Sequence, residues 1–476
     1  MTTDTIEIAG LAGGTVNLSP DRLQAFADTI NGSILRPGDE GWDTAVLIWN
    51  GMAAKVPALV VRPTSAADVA AAVRFAADNG LVLSIKAGGH NIAGTSVAQG
   101  ALTLDMSLLK EVTVDPTGRL AHVGGGCLIK DVDATTQAHG LAAVLGFVSE
   151  TGVAGLTLGG GFGYLTRRFG WTVDNLEEVE IVTADGEVRT VSRDEDDDLF
   201  WALRGGGGNF GAVTRFTFRL HPVGPTITGG LIAWGAERAG EALATYRDLT
   251  ESAPRELTAV LTIRPAPPAP FVPPEWHGKP IVGMVVCHSG PNAEADLAPI
   301  RALGTPIVDL IAEKPYVAQQ SMLDATQPKG AHYYWKTEFV PELSDGFLEA
   351  FRTGAMQVTS PMSQSIMFHL AGALNEIADD DGAVGNRDAC YVTGFAASWR
   401  PDDPRAAEHV AWARTSWEGI RPFSTGGNYV NFQVADDGTD RTAAAYGRNL
   451  DRLQRVKASY DPDNLFRINR NVAPVA

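Results

Sequence analysis

Cysteine is scarce in this chain: Cys127, Cys287 and Cys390 are the three residues of that type among 476. Their wide spacing excludes a disulfide framework and a zinc knuckle, and leaves them as small buried hydrophobes. Positive charge is also in deficit, with 38 Lys and Arg against 56 Asp and Glu and a net charge of -18. That balance disfavours nucleic acid and anionic membrane as partners. No stretch approaches the ~18 apolar residues needed to span a bilayer. The opening MTTDTIEIAG carries acid where a secretory leader carries base, so a cytoplasmic location is the default expectation. No Lys-Ser or Lys-Thr follows the glycine clusters in the Walker manner, and no closely spaced second histidine accompanies His90 as a metal partner.

What the chain has in quantity is glycine, 52 residues, much of it before residue 211. Frequent glycine lets backbone pass close to something bulky. An apolar fraction of 45% with 20% charged residues describes a globular protein, and the length predicts two domains. ALVVRP, SAADVAAAVRFAADNG and LVLSI read as strand, helix and strand, with Ser65 as the helix cap and Gly80 as its stop. Further strands are expected in ALTLDMS and LAHVGGG, a helix in LIKDVDATTQAHG, and a hairpin around Asp185-Gly186. From about residue 223 the segments ITGGLIAWGA, ELTAVLTIRPA, KPIVGMVVCHSG and CYVTGFAASW predict a mainly antiparallel sheet with helices on one side. The proline-rich PAPPAPFVPPEWHGKP reads as stiff surface chain able to shape an entrance. A helix in AAAYGRNLDRLQRVKASYD, with Leu450, Leu453 and Val456 on one side, is expected to return to the first domain.

Three glycine stretches stand out: AGGH at 87–90, GLTLGGGFG at 155–163 and RGGGGNFG at 204–211. GGGFG fits the dinucleotide fingerprint poorly, because no opening strand precedes it directly. Together the three stretches suit a large nucleotide cofactor held by main-chain amides. For His90 the residues leave open a metal ligand, a hydrogen-bonded core histidine, or a nucleophile toward a bound cofactor.

KAGGHNIAG, GLTLGGGFGYLTRRFGWTVDNL, RGGGGNFGAVTRFTFRL and the tail YDPDNLFRINRNV resemble the berberine-bridge-enzyme-like branch of the FAD-linked oxidases with the vanillyl-alcohol-oxidase fold. The resemblance covers the whole chain. It implies an α+β protein: a two-lobed PCMH-type FAD-binding domain from residues 1–222, a substrate domain of mainly antiparallel sheet from 223–427, and a return segment from 428–476. It implies FAD attached through His90. It places flavin contacts at Lys86, Ala87, Gly88, Gly89, His90, Asn91 and Gly94, and at Val148, Thr151, Gly152, Gly155, Leu158, Gly159, Gly160, Gly161 and Gly163. Asn209, Gly211, Val213 and Asn431 complete the set.

Many members attach the flavin a second time through a cysteine four residues before Gly152; here that position is Val148, so attachment through His90 alone is expected. Thr151 matches the position that often controls oxygen entry. In GGNYVNFQ, Tyr429 matches the tyrosine that serves or assists as base, and Asn431 orders the backbone beside it. Tyr334 and Lys336, with His332, share one side of HYYWKTEFV if it is a strand, and both are candidate catalytic groups; His369 lies on another strand-like run. Trp234, Trp335 and Tyr334 are candidate pocket rings. The resulting expectation is an FAD oxidase acting with O2 on a cyclic or aromatic alcohol or amine, releasing H2O2, with no protein partner evident. A dehydrogenase or carbohydrate oxidase on the same fold is the alternative, and a flavin protein that only binds its ligand is a second.

Overall fold

A computed structural model describes residues 5–475. The first of its three main sheets has four strands in the order Ser33–Leu35, Leu59–Arg62, Leu102–Asp105, Leu83–Lys86. The last three run parallel. The crossover helix Ala66–Asp78 is capped by Ser65, whose Oγ accepts from the Asp68 amide at 3.1 Å. Its Val69, Val73 and Ala76 are buried, as the spacing predicts.

The second sheet is antiparallel, in the order Val188–Ser192, Leu176–Val182, Ala212–Arg219, Leu120–Gly124, Val112–Asp115. The expected hairpin is present, with Val182 paired to Val188 around Asp185-Gly186. Helices Ile129–Gln137 and Asp197–Leu203 contribute to its core, and Leu453 and Val456 of the C-terminal helix enter that same core. The C-terminal helical segment is not continuous. It breaks between Thr439–Tyr446 and Leu450–Tyr460 at Gly447, whose φ of +52° a helix interior does not accept.

The third sheet carries the main strands Thr226–Gly235, Pro280–His288, Leu257–Pro265, Gln364–His369, Tyr391–Trp399 and His332–Val340, in that spatial order and all antiparallel. Helices Ala239–Ser252, Asp345–Ala355 and Ala406–Ile420 pack on one face through Tyr246, Phe347, Phe351 and Trp412. The other face carries Val260, Val285, Ile366 and Phe368 toward the glycine-rich turns. No helix among the described residues is long and apolar enough to cross a membrane.

Two buried cations join this sheet to the glycine-rich half. Arg387 makes an ion pair of 2.6 Å with Asp174, both side chains 2% exposed. Arg167, from TRRF, donates to the carbonyls of Ala371 at 2.8 Å, Pro254 at 2.7 Å and Ala253 at 3.0 Å, and to that of Leu257. Ala253 closes the helix Ala239–Ser252, so the charge also meets the negative end of a helix dipole. Burial lowers the Arg167 pKa only to about 10, so the cation persists at neutral pH. Replacing Arg167 by Met strands these carbonyls without donors, and the expected loss is about 3 kcal/mol or more. Thermal unfolding of the variant checks it; an unchanged melting temperature refutes the role.

Candidate active site

A cavity of about 450 Å³ is lined by turns from the first two sheets, the inner face of the third, and the chain around residues 429–432 and 466–470. Strand Leu83–Lys86 delivers AGGH at its carboxyl end, the edge where open parallel sheets hold their ligands. Gly88 lies backbone to backbone with Gly152, and a Cβ on either would overlap the other's main chain. This contact sets His90 in the same cavity as Val148 and Thr151.

The His90 ring lies 5.6 Å from Trp49 and nearly parallel to it, and its Nε2 is enclosed with no hydrogen-bond partner. Burial, helped by the Lys329 charge and opposed by Glu150, lowers its pKa to about 4. The imidazole is therefore neutral at pH 7 and has a lone pair to offer. Beside it, Ser149 donates from its amide and hydroxyl to Asp324 at 2.8 and 2.6 Å, which clips the segment carrying Met322 and Leu323 over the cavity. No thiol takes the place of Val148: Cys127 is fully buried outside the cavity lining, and burial pushes it up to about 12.

Tyr429 occupies no strand. It precedes a short 3-10 turn, Val430–Phe432, and lies with Phe162 (4.9 Å) and Phe432 (5.0 Å) in an aromatic group. Its hydroxyl accepts from the Gly161 amide at 3.1 Å and from Asn431 Nδ2 at 2.8 Å. Burial raises the phenol pKa, and these two donors pull against it. Asn431 is fixed in turn by the Leu156 carbonyl at 3.1 Å.

Of the flavin contacts expected from the sequence, Ala87, Gly88, Gly89, His90, Asn91, Val148, Thr151, Gly152, Gly155, Leu158, Gly211, Val213 and Asn431 line the cavity, as does Tyr429. Lys86, Gly94, Gly159, Gly160, Gly161, Gly163 and Asn209 do not. Lys86 is paired with Asp105 at 3.2 Å. Gly94 abuts Ala53, Gly159 abuts Asn431, Gly160 abuts Val384, Gly161 abuts Thr172 and Gly163 abuts the Leu145 carbonyl, so these glycines are small to let protein pack on protein. Asn209 ties down the tail, donating to the Arg470 carbonyl at 3.2 Å and accepting from the Val472 amide at 2.9 Å.

Tyr334 and Lys336 must be reassigned. They are on one face of their strand, but it is the helix-covered face: Tyr334 Oη donates to Asp436 at 2.9 Å and accepts from Arg414 at 2.7 Å, while Lys336 pairs with Asp437 at 2.6 Å. His332 packs edge-on to Trp399, and His369 against Tyr391. Trp234 is buried with its indole donating to Gly304, whereas Trp335 does line the cavity. Sequence reasoning passed over Trp49, Phe147, Phe162, Arg264, Gln364 and Phe368; the alternation of Val260, Thr262 and Arg264 was the available signal for the third sheet's lining.

The sequence model described as FAD binding domain matches residues 57–192, and that described as berberine and berberine like matches 428–473. The (R)-6-hydroxynicotine oxidase of Paenarthrobacter nicotinovorans is 31% identical over 467 residues, covering 94% of this chain and 97% of that one. The crystal structure of 6-hydroxy-D-nicotine oxidase from Arthrobacter nicotinovorans superimposes with a TM-score of 0.82 at 29% identity, covering 94% and 98% of the two chains. At 24% identity and a TM-score of 0.83, covering 95% of this chain and 99% of that one, the glucooligosaccharide oxidase of Acremonium strictum, which carries a 6-S-cysteinyl, 8α-N1-histidyl FAD, shares the fold. The protein is thus an FAD-dependent oxidoreductase with the PCMH-type fold. It belongs to the berberine-bridge-enzyme-like family.

The lining suits a flavin nucleotide. It holds an enclosed, unpartnered imidazole nitrogen, and at Gly155 and Gly208 an added Cβ would meet nothing within 4 Å. These two kinds of glycine separate by experiment. Gly152→Ala forces Gly88 away and costs about 1–3 kcal/mol in the apoprotein. Gly155→Ala, inside helix Val153–Leu158, leaves apoprotein stability equal or higher but lowers FAD content. Melting temperatures and absorbance ratios of the two variants test this, and equal destabilisation by both is the contrary result.

Proposed function

We propose that the protein holds FAD covalently through His90 alone and oxidises a cyclic or aromatic alcohol or amine, with O2 as the electron acceptor and H2O2 as product. Support for the single link comes from a neutral, unpartnered imidazole in the cavity and from Val148 where doubly linked relatives carry cysteine. Bound there, the flavin supplies hydride acceptance and the passage of electrons to oxygen. The residues around it supply position and proton transfer.

One observation carries the reaction type: a buried phenol in the cavity wall with both of its acceptor directions occupied. Donors from Gly161 and Asn431 stabilise negative charge on the Tyr429 oxygen and hold it in one place. Once the phenol is ionised, an alcohol or amine proton presented to that oxygen has a fixed recipient, while Phe162, Phe368, Phe432 and Trp335 line the cavity as an apolar surround for the carbon being oxidised. Thr151, at the position that often controls oxygen entry in the family, lines the cavity beside Gly152.

Acid-denatured protein is expected to retain the mass of one FAD, and His90→Ala to lose it; retention in the variant would put the link elsewhere. Tyr429→Phe should slow flavin reduction in anaerobic stopped flow roughly 10²- to 10⁴-fold at saturating substrate. Because burial raises the phenol pKa, its ionised fraction grows about tenfold per pH unit below that pKa, and reduction should keep accelerating with pH through the ordinary phenol range near 10 without levelling off there. A flat profile, or a wild-type rate in Tyr429→Phe, removes Tyr429 as the base.

A further inference from the structure

The inner face of the third sheet is a nearly apolar wall with one charged exception. Along strand Leu257–Pro265 the alternate residues Val260, Thr262 and Arg264 face the cavity. Val260 is paired with Phe368, whose ring lies 5.3 Å from Phe162, the neighbour of Tyr429. Strand rise then puts Arg264 about 13 Å further along the wall than Val260. Arg264 pairs with Ile281 on the next strand and opens into the proline-rich loop, whose Pro267 and 45% exposed Phe271 line the same cavity.

Arg264 is poorly satisfied by its own protein. Its Nε donates to the Pro265 carbonyl at a long 3.3 Å, its terminal nitrogens make no hydrogen bond, and no ion pair reaches it among the described residues. Burial alone lowers its pKa, with no carboxylate nearby to counter it. The other cavity arginine, Arg470, donates to the Gln433 and Val434 carbonyls. Beside Arg264 in the lining is Gln364, whose Oε1 accepts from Thr262 at 3.3 Å and whose amide NH2 makes no hydrogen bond. In a chain of net charge -18, a withdrawn guanidinium without a carboxylate is a costly arrangement that a ligand anion would relieve.

We propose that Arg264, assisted by the Gln364 amide, binds a carboxylate at the far end of an otherwise apolar substrate whose oxidisable carbon lies toward Tyr429. The substrate class is then an elongated aromatic or alicyclic alcohol or amine bearing an acid group. The inference deepens the oxidoreductase reading and rests on it for the chemistry, though not for the binding.

The test is calorimetric titration of the oxidised holoenzyme with phenylalkanoates of increasing length, from phenylacetate to phenylhexanoate, each against its neutral amide. At least one acid should bind roughly 10- to 100-fold tighter than its amide. Arg264→Gln should bring the acid down to the amide's affinity without altering the amide's own. Arg264→Lys should recover part of the preference, and added salt should weaken the acid only. The unchanged amide affinity certifies that the Arg264→Gln cavity is intact. Equal affinities in the wild-type protein, no binding of any acid, or an acid preference that survives in Arg264→Gln overturns the proposal. These readings do not depend on turnover. A preference lost in Arg264→Gln alongside a flavin that no substrate reduces would sink the oxidase reading and leave the acid site standing, and the converse result would do the reverse.

Discussion

The contact between Gly88 and Gly152 is the constraint on which the site depends. Two turns from different sheets meet main chain to main chain, each leaving no room for a Cβ on the other. The first turn carries His90 two residues on, and the second carries Thr151 and Val148 just before it. A histidine and the wall it must face are thus brought together by the absence of two methyl groups. A missing Cβ also serves at Gly159, where it makes room for the Asn431 side-chain amide, which donates to both the Leu156 carbonyl and the Tyr429 hydroxyl.

Burial does opposite work on His90 and Tyr429. It drives the His90 imidazole to its neutral form, in which nitrogen has a lone pair to offer, and the Tyr429 phenol to its protonated form, in which the oxygen must ionise before it can take a proton. For Tyr429 the Gly161 amide and Asn431 recover part of that loss. The two halves of the molecule hold these groups in register through desolvated cations. Arg167 serves mainly helix-end and loop carbonyls, and Arg387 serves Asp174.

Much of the fold was legible in the sequence. The capped helix after Ser65, the Asp185-Gly186 hairpin and the strands of the third sheet rest on local periodicity and turn chemistry, which act over a few residues. The motifs that mark the family also name His90, Gly152 and Tyr429, all of which line the cavity. Glycine by itself was less informative. Gly155 and Gly163 belong to one run, yet the first faces open space and the second faces the Leu145 carbonyl. A missing side chain does not say which neighbour required its absence.

By itself the sequence determined the elements, the glycine turns, the histidine and the lack of a cysteine at position 148. Only the tertiary structure decided which face of each strand looks inward. In HYYWKTEFV, alternation sends Tyr334 and Lys336 one way and Trp335 the other, and either assignment satisfies the pattern. Helix Ala406–Ile420, with Arg414 and Trp417, and the acids Asp436 and Asp437 settle it by covering the Tyr334 face, which leaves Trp335 to the cavity. The same choice of face turns Arg264 inward. A two-residue period carries no sign, and the sign comes from whatever packs against the sheet.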